Sequence, residues 1–165
     1  MNTDKLLKDL LAGLLKRQRG KKTGDLAMIS EDRHWILAPG GIAAFKIDFC
    51  PFDIAVPEIR TFNQARMIRE AENATTEIRP SARRYIYHTG ADTILACFDI
   101  PDNVDFGDYE QIYANRDMLE IVTEKGEPED YLYFTDGPKK PIFVYRPHAN
   151  DQNELIAVLL PVVIK

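Results

Sequence analysis

The run LIAVLLPVVI at residues 155–164 holds nine apolar side chains and one proline, with no charge before Lys165. A continuous apolar run of this length is typical of a strand that is covered on both faces. Pro161 has no N–H to donate to a neighbouring strand, so it must lie at a sheet edge or at a bulge. The run therefore predicts a buried strand over 154–164 that is interrupted near its end.

Most of the remaining chain consists of short apolar segments separated by turn-forming residues. The turns include EDR at 31–33 and DGPKK at 136–140, whereas the stretch 101–113 has the composition of a longer loop. The segments between the turns predict strands at 25–30, 34–38, 42–49, 52–56, 76–80, 83–88, 93–100, 130–134 and 141–146.

Helical spacing is clearest at residues 3–19, where six leucines share one face. A second helix is predicted at 58–72, opened by Pro57 and Glu58, and a short third one at 114–124, started at Asn115. The order helix, strands, helix, strands predicts an α+β fold with a mostly antiparallel sheet and two main helices. We expect a single domain over 1–165 with an elaboration at 99–130.

The net charge is −5, which argues against a protein that simply coats nucleic acid. The longest apolar run is too short to span a membrane as a helix, so we expect no membrane association. The start of the chain is interrupted by Asp4, Lys8 and Asp9 and does not read as a signal peptide. Cys50 and Cys97 lie in apolar surroundings and favour a reduced, cytoplasmic protein over a disulfide-bonded one.

Four aspartates recur every third residue in the acidic stretch, at Asp99, Asp102, Asp105 and Asp108. Such a cluster fits either a hard cation or a solvated acidic loop, and its spacing is not that of a calcium loop. We interpret it as a loop and predict no metal and no cofactor.

Histidines and serines are the candidate members of a catalytic set in this chain. His34, His88 and His148 have no partner at metal-ligand spacing, and Ser30 and Ser81 have no nucleophile-elbow context. The chain is therefore predicted to contain no catalytic residue and not to be an enzyme.

Basic side chains collect on one face of each main predicted helix, and phosphate contacts require only positive charge at the right place. On this ground the chain is a candidate for association with double-stranded DNA. The predicted DNA-facing residues are Lys5, Lys8, Lys16, Arg19, Arg60, Arg66 and Arg69.

The segments DLAMISEDRHWILAPGGIAAFKIDF, FDIAVPEIRTFNQARMIREA and KKPIFVYRP…ELIAVLLPVVIK loosely resemble a sliding-clamp domain of the bacterial DNA polymerase III beta-subunit type. The resemblance implies a non-enzymatic clamp-like protein of DNA replication that assembles as a homo-oligomer. It also implies a hydrophobic groove for partner peptides that includes Leu160, Pro161 and Val162.

Two other readings stay open. The chain fits a protein-interaction or assembly module of a phage or mobile element, with no DNA role. It also fits a small enzyme that uses a metal at Asp99–Asp108.

Overall fold

A computed structural model describes residues 28–38, 41–47, 60–89, 91–123, 127–150 and 152–164. These residues form ten strands, two α-helices and one 3₁₀ turn at Pro128–Asp130. They fall into two compact units, divided between Ile68 and Arg69.

The first unit contains four short strands: β1 (Met28–Ser30), β2 (Trp35–Leu37), β3 (Ala43–Lys46) and β4 (Arg60–Phe62). β2 pairs antiparallel with β1 and β3, whereas β4 lies parallel to β1 on its other side. The buried side chains of this unit include Ile29, Ile36 and Phe45.

Helix α1 (Gln64–Asn73) follows β4, and the boundary between the units falls inside it. The Asn63 side-chain carbonyl accepts the Arg66 N–H at 3.0 Å and so caps the helix, as asparagine commonly does. The sequence prediction of a helix over 58–72 is therefore wrong at its start. Residues 60–62 form a strand because they pair with β1.

The second unit contains six antiparallel strands in the order β10-β9-β8-β5-β6-β7. Three of the pairings are hairpins, formed by β5 with β6, β8 with β9, and β9 with β10. The strands are β5 (Thr76–Thr89), β6 (Ala91–Asp99), β7 (Gln111–Asn115), β8 (Leu132–Thr135), β9 (Ile142–Pro147) and β10 (Asn153–Leu159).

β5 is a single fourteen-residue strand where the sequence predicts two. Its first residues, Thr76–Ile78, pair with β8, and from Arg79 onward it pairs with β6. The register shifts between Pro80 and Arg84, which places the proline at an irregularity where a missing N–H is tolerated.

Helix α2 (Arg116–Thr123) follows β7 directly and lies against β6, β7 and β10 with Leu119 and Val122 buried. The Asn115 side chain accepts the N–H groups of Asp117 and Met118 at 2.9 and 3.3 Å. The prediction of a short helix started at Asn115 is confirmed.

An aromatic side chain of β6 meets one of β8 in the core of the second unit. The rings of Phe98 and Tyr133 lie 4.9 Å apart in a tilted arrangement. Burial raises the pKa of the Tyr133 phenol, and its hydroxyl donates to the Pro128 carbonyl at 2.8 Å. The hydroxyl thus has the partner that a buried tyrosine requires.

The predicted α+β class is wrong. In the described part of the chain, ten strands accompany two α-helices of ten and eight residues, so the fold is mainly β. Antiparallel pairing predominates, but the parallel pair β1–β4 makes the arrangement mixed. The predicted helix at 3–19 and the predicted strand at 52–56 lie outside the described residues.

Candidate functional site

The apolar run at 154–164 divides into two parts that differ in burial. In β10, Ile156, Ala157, Val158 and Leu159 are all buried, as expected for a strand covered on both faces. From Leu160 to Ile164 every side chain is at least partly exposed, although none is polar. We call residues 160–164 the tail segment.

The tail segment lies beside β7. Pro161 forms an isolated antiparallel bridge with Ala114, and the Val162 N–H donates to the Tyr113 carbonyl at 2.7 Å. The hydrogen bond therefore comes from the residue after the proline, so the missing N–H of Pro161 costs the contact nothing. The chain that follows β10 thus joins β7, the strand at the far end of the order in this unit.

Two large apolar side chains of the tail segment face solvent. Leu160 is 42% exposed and Val163 is 41% exposed. Of the predicted peptide-binding residues, Leu160 is exposed and Pro161 and Val162 are half-buried. An uncharged, half-exposed extended segment can bind apolar ligands through its side chains.

Sequence reasoning missed the strand that supports this segment. β7 falls mostly inside the stretch interpreted as a loop, yet Gln111–Asn115 alternates half-buried and buried positions, with Ile112 and Ala114 inside. This period-two alternation was a readable signal, but it is only five residues long and follows an acidic loop.

The predicted DNA-facing residues are not brought together in the described part of the chain. Lys5, Lys8, Lys16 and Arg19 lie outside it. Arg60 begins β4 rather than a helix, whereas Arg66 and Arg69 are exposed on α1. Glu70 and Glu72 occupy the same helix and offset its positive charge.

Asp102, Asp105 and Asp108 lie in a loop between β6 and β7, and Asp99 is the last residue of β6. The Gly107 N–H donates to the Asp105 carboxylate at 2.8 Å, and Gln111 donates to Asp99 at 2.9 Å. Gly107 has φ +69°, a conformation that glycine adopts readily. Among the described residues, no group of three or more His, Cys, Asp or Glu side chains is placed to hold a metal ion.

The loop between β1 and β2 contains a hydrogen-bonded cluster. Ser30 Oγ donates to Asp32 Oδ1 at 2.6 Å and accepts the Trp35 N–H at 3.0 Å. Asp32 also accepts the His34 N–H at 2.9 Å and the Gln64 side-chain amide at 3.0 Å. Ser30 is fully buried, and its hydroxyl is occupied both as donor and as acceptor, so it stabilises the turn and is not placed as a nucleophile.

The cluster keeps Asp32 ionised. Partial burial alone would raise the pKa of this carboxyl, but the hydrogen bonds from Ser30, His34 and Gln64 lower it below its ordinary value of 3.8. The carboxylate is thereby held as an acceptor for three donors.

The other candidate side chains are separate from one another. His34 Nδ1 lies 3.3 Å from the Ile47 carbonyl, and His148 Nε2 lies 2.9 Å from Glu154 at the β9–β10 hairpin. Cys97 is a buried thiol in β6. Cys50 lies outside the described residues, and the side chain of His88 is not described.

None of the helices in the described ranges is long and apolar enough to cross a membrane. The tail segment combines apolar side chains with partial exposure, whereas the Ser30 hydroxyl of the β1–β2 cluster is buried. No family model, curated protein or solved structure matches this chain.

Proposed function

We propose that the chain is a non-enzymatic protein-interaction module and that the tail segment is its binding surface. The observation that carries this proposal is the exposure of Leu160 and Val163 next to a β10 that is buried throughout its second half. An apolar strand end gains free energy when a partner removes it from water, at roughly 25 cal/mol per Å² of apolar surface. Contiguous exposed apolar residues are a feature of interaction sites.

The experiment compares partner retention by the wild-type chain with that of Leu160→Asp and Val163→Asp. Bound proteins are identified by mass spectrometry after washing at low and at high salt. We expect retention to persist at high salt, because apolar contacts are not screened. Both substitutions should abolish it, whereas the matched control Asp102→Asn in the acidic loop should leave it unchanged. Retention that survives both tail substitutions would refute the tail segment as the binding surface.

DNA association is the second candidate function, and the exposure of Arg66 and Arg69 on α1 favours it. Their separation by three positions places them on one side of the helix, where both can reach phosphates. A non-enzymatic role as a ring around a DNA duplex would require several copies of this acidic chain to assemble. Light scattering across a concentration series tests for that oligomer.

The DNA candidate is tested by salt-dependent binding to a duplex of random sequence. Arg66→Glu with Arg69→Glu should weaken binding by at least tenfold at low salt. Lys139→Glu with Lys140→Glu changes the net charge equally at a different place and is the matched control. Equal loss in both double variants would show a general charge effect and would rule out α1 as the contact.

A further inference from the structure

The hairpin of β5 and β6 continues past the strands on either side of it. Within the described part of the chain, β5 pairs only with β6 from Arg84 to Thr89, and β6 pairs only with β5 from Ala91 to Ile94. We call residues 84–89 and 91–96 the ribbon. A two-stranded hairpin on its own is marginally stable in water, so the ribbon gains stability when one of its faces is covered.

The two faces of the ribbon differ in exposure. Leu95 is fully buried, whereas Ile94, which points to the opposite face, is 42% exposed. The register places Ile86 directly opposite Ile94, and residues that lie opposite each other in a sheet share a face. The exposed face of the ribbon therefore has two isoleucines side by side at its centre.

Charged residues of opposite sign occupy the two ends of the same face. Arg84 lies opposite Ala96, one step along the face from the isoleucines, and Asp92 lies opposite His88, one step in the other direction. The two ends are four strand residues apart, which is roughly 14 Å at about 3.4 Å per residue. This separation is too long for an ion pair between Arg84 and Asp92 within one chain.

A face with this order of residues is complementary to itself. If a second copy is turned by a two-fold rotation about an axis that crosses the strands, the isoleucines of the two copies meet. The Arg84 end of each copy then meets the Asp92 end of the other, so both charges are paired and both apolar centres are buried. A nucleic acid would match only the Arg84 end, because its phosphates are repelled by a carboxylate.

We propose that the ribbon is a dimerisation surface, on which a second copy of this chain packs its own ribbon with the strands running in the opposite direction. The inference goes beyond the proposed binding of partners by the tail segment and does not depend on it. In the dimer, Ile94 is removed from water and Arg84 lies at the level of Asp92 of the second copy.

The first test is light scattering of the full chain over a concentration series. It is run at low salt and at about pH 8, where an ordinary histidine such as His88 is neutral. We expect the wild type to form a dimer, and Ile94→Asp to raise its dissociation constant at least about tenfold, because each dimer would bury two unpaired carboxylates.

Ile68→Asp is the matched control, since Ile68 is 41% exposed on α1 and lies outside the ribbon. It should dimerise as the wild type does. A wild type that stays monomeric over the whole series, or an equal loss of dimer in both variants, would overturn the inference.

The second test reverses the charges at the ends of the face. Arg84→Asp and Asp92→Arg each place like charges opposite each other in a homodimer, so each variant alone should dimerise weakly. An equimolar mixture of the two should recover dimers, because the two substituted ends then face each other, as do the two native ends. Recovery would also show that both variants fold. A mixture that associates no better than either variant alone would overturn the proposed strand direction.

Two further outcomes would assign the surfaces differently. Leu160→Asp should leave the dimer unchanged, and dissociation by this variant would make the tail segment the contact between copies. Binding to a DNA duplex of random sequence should not depend on the ribbon. If Arg84→Asp weakens duplex binding while Ile94→Asp leaves the mass in solution unchanged, the ribbon contacts nucleic acid and the inference fails. Partner retention through the tail segment is measured separately, so its loss or survival does not affect these results.

Discussion

The Ser30 hydroxyl joins two parts of the β1–β2 turn, since it donates to Asp32 at 2.6 Å and accepts the main-chain N–H of Trp35 at 3.0 Å. Both bonds form where the serine is inaccessible to solvent. Removing this hydroxyl is costly because the buried Trp35 N–H loses its acceptor, whereas water can reach the exposed Asp32 carboxylate.

Ser30→Ala should therefore lower the free energy of unfolding by about 1–2 kcal/mol. The measurement is urea unfolding at neutral pH, compared with Glu31→Gln, which changes an exposed neighbour in the same turn. If Ser30→Ala and Glu31→Gln lower the free energy of unfolding equally, the hydrogen bonds of the Ser30 hydroxyl make no net contribution to stability.

Asp32 gives the turn a dependence on pH. Its pKa in the folded chain is lower than its ordinary value of 3.8, so the unfolded chain binds the proton more readily. The stabilisation is therefore present above about pH 3.8 and is lost as the pH falls toward the pKa of the folded state. Unfolding titrations between pH 2 and 6 should show this loss in the wild type and a flatter profile in Asp32→Asn. The same slope in both would contradict the assignment.

Asn115 should be a strong determinant of α2. Its side chain accepts two main-chain N–H groups of the first helical turn, which have no partner within the helix. Asn115→Ala should cost about 1 kcal/mol, and Asn115→Asp should retain most of the stability. Thermal unfolding of the two variants measures the difference, with Asn103→Ala in the preceding loop as the control. Equal stability of Asn115→Ala and Asn115→Asp would refute the capping role.

Thr135 holds the turn between β8 and β9. Its buried hydroxyl lies 2.9 Å from the Gly137 carbonyl and 3.1 Å from that of Pro141. Thr135→Val keeps the shape but removes the hydroxyl, and should cost about 1–3 kcal/mol. Thr135→Ser keeps the hydroxyl and should cost less than the valine variant. The reverse order of stabilities would show that the methyl group, and not the hydroxyl, matters here.

The sequence predicted the hairpin strands well, and it failed where pairing between distant segments decides the structure. The strands around 35–37, 132–135 and 142–147 were found because apolar residues and turn formers alternate locally. The pairing of residues 60–62 with β1 was missed, because Pro57 and Glu58 give a local helix signal and the parallel partner lies far away in sequence. Propensity is overridden by such tertiary contacts.

The peptide-binding role of the tail segment stays a prediction. Leu160, Pro161 and Val162 were named because the resemblance to a clamp domain implies a peptide groove there, and the structure shows that they are partly exposed. Their neighbours in β7 could not be inferred, because nothing in the sequence links Tyr113 and Ala114 to residues 161 and 162. The sequence also could not predict that burial ends at Leu159. Residues 158 and 163 are both valine, yet the first is buried and the second is exposed.

The bridge between Ala114 and Pro161 also bears on how the chain behaves in concentrated solution. An uncovered strand edge is a template on which identical molecules can stack edge to edge. The chain's own tail segment lies along β7, with Pro161 opposite Ala114. A second copy therefore cannot pair with this edge. The strand order thus ends at a β7 edge that carries the chain's own apolar segment.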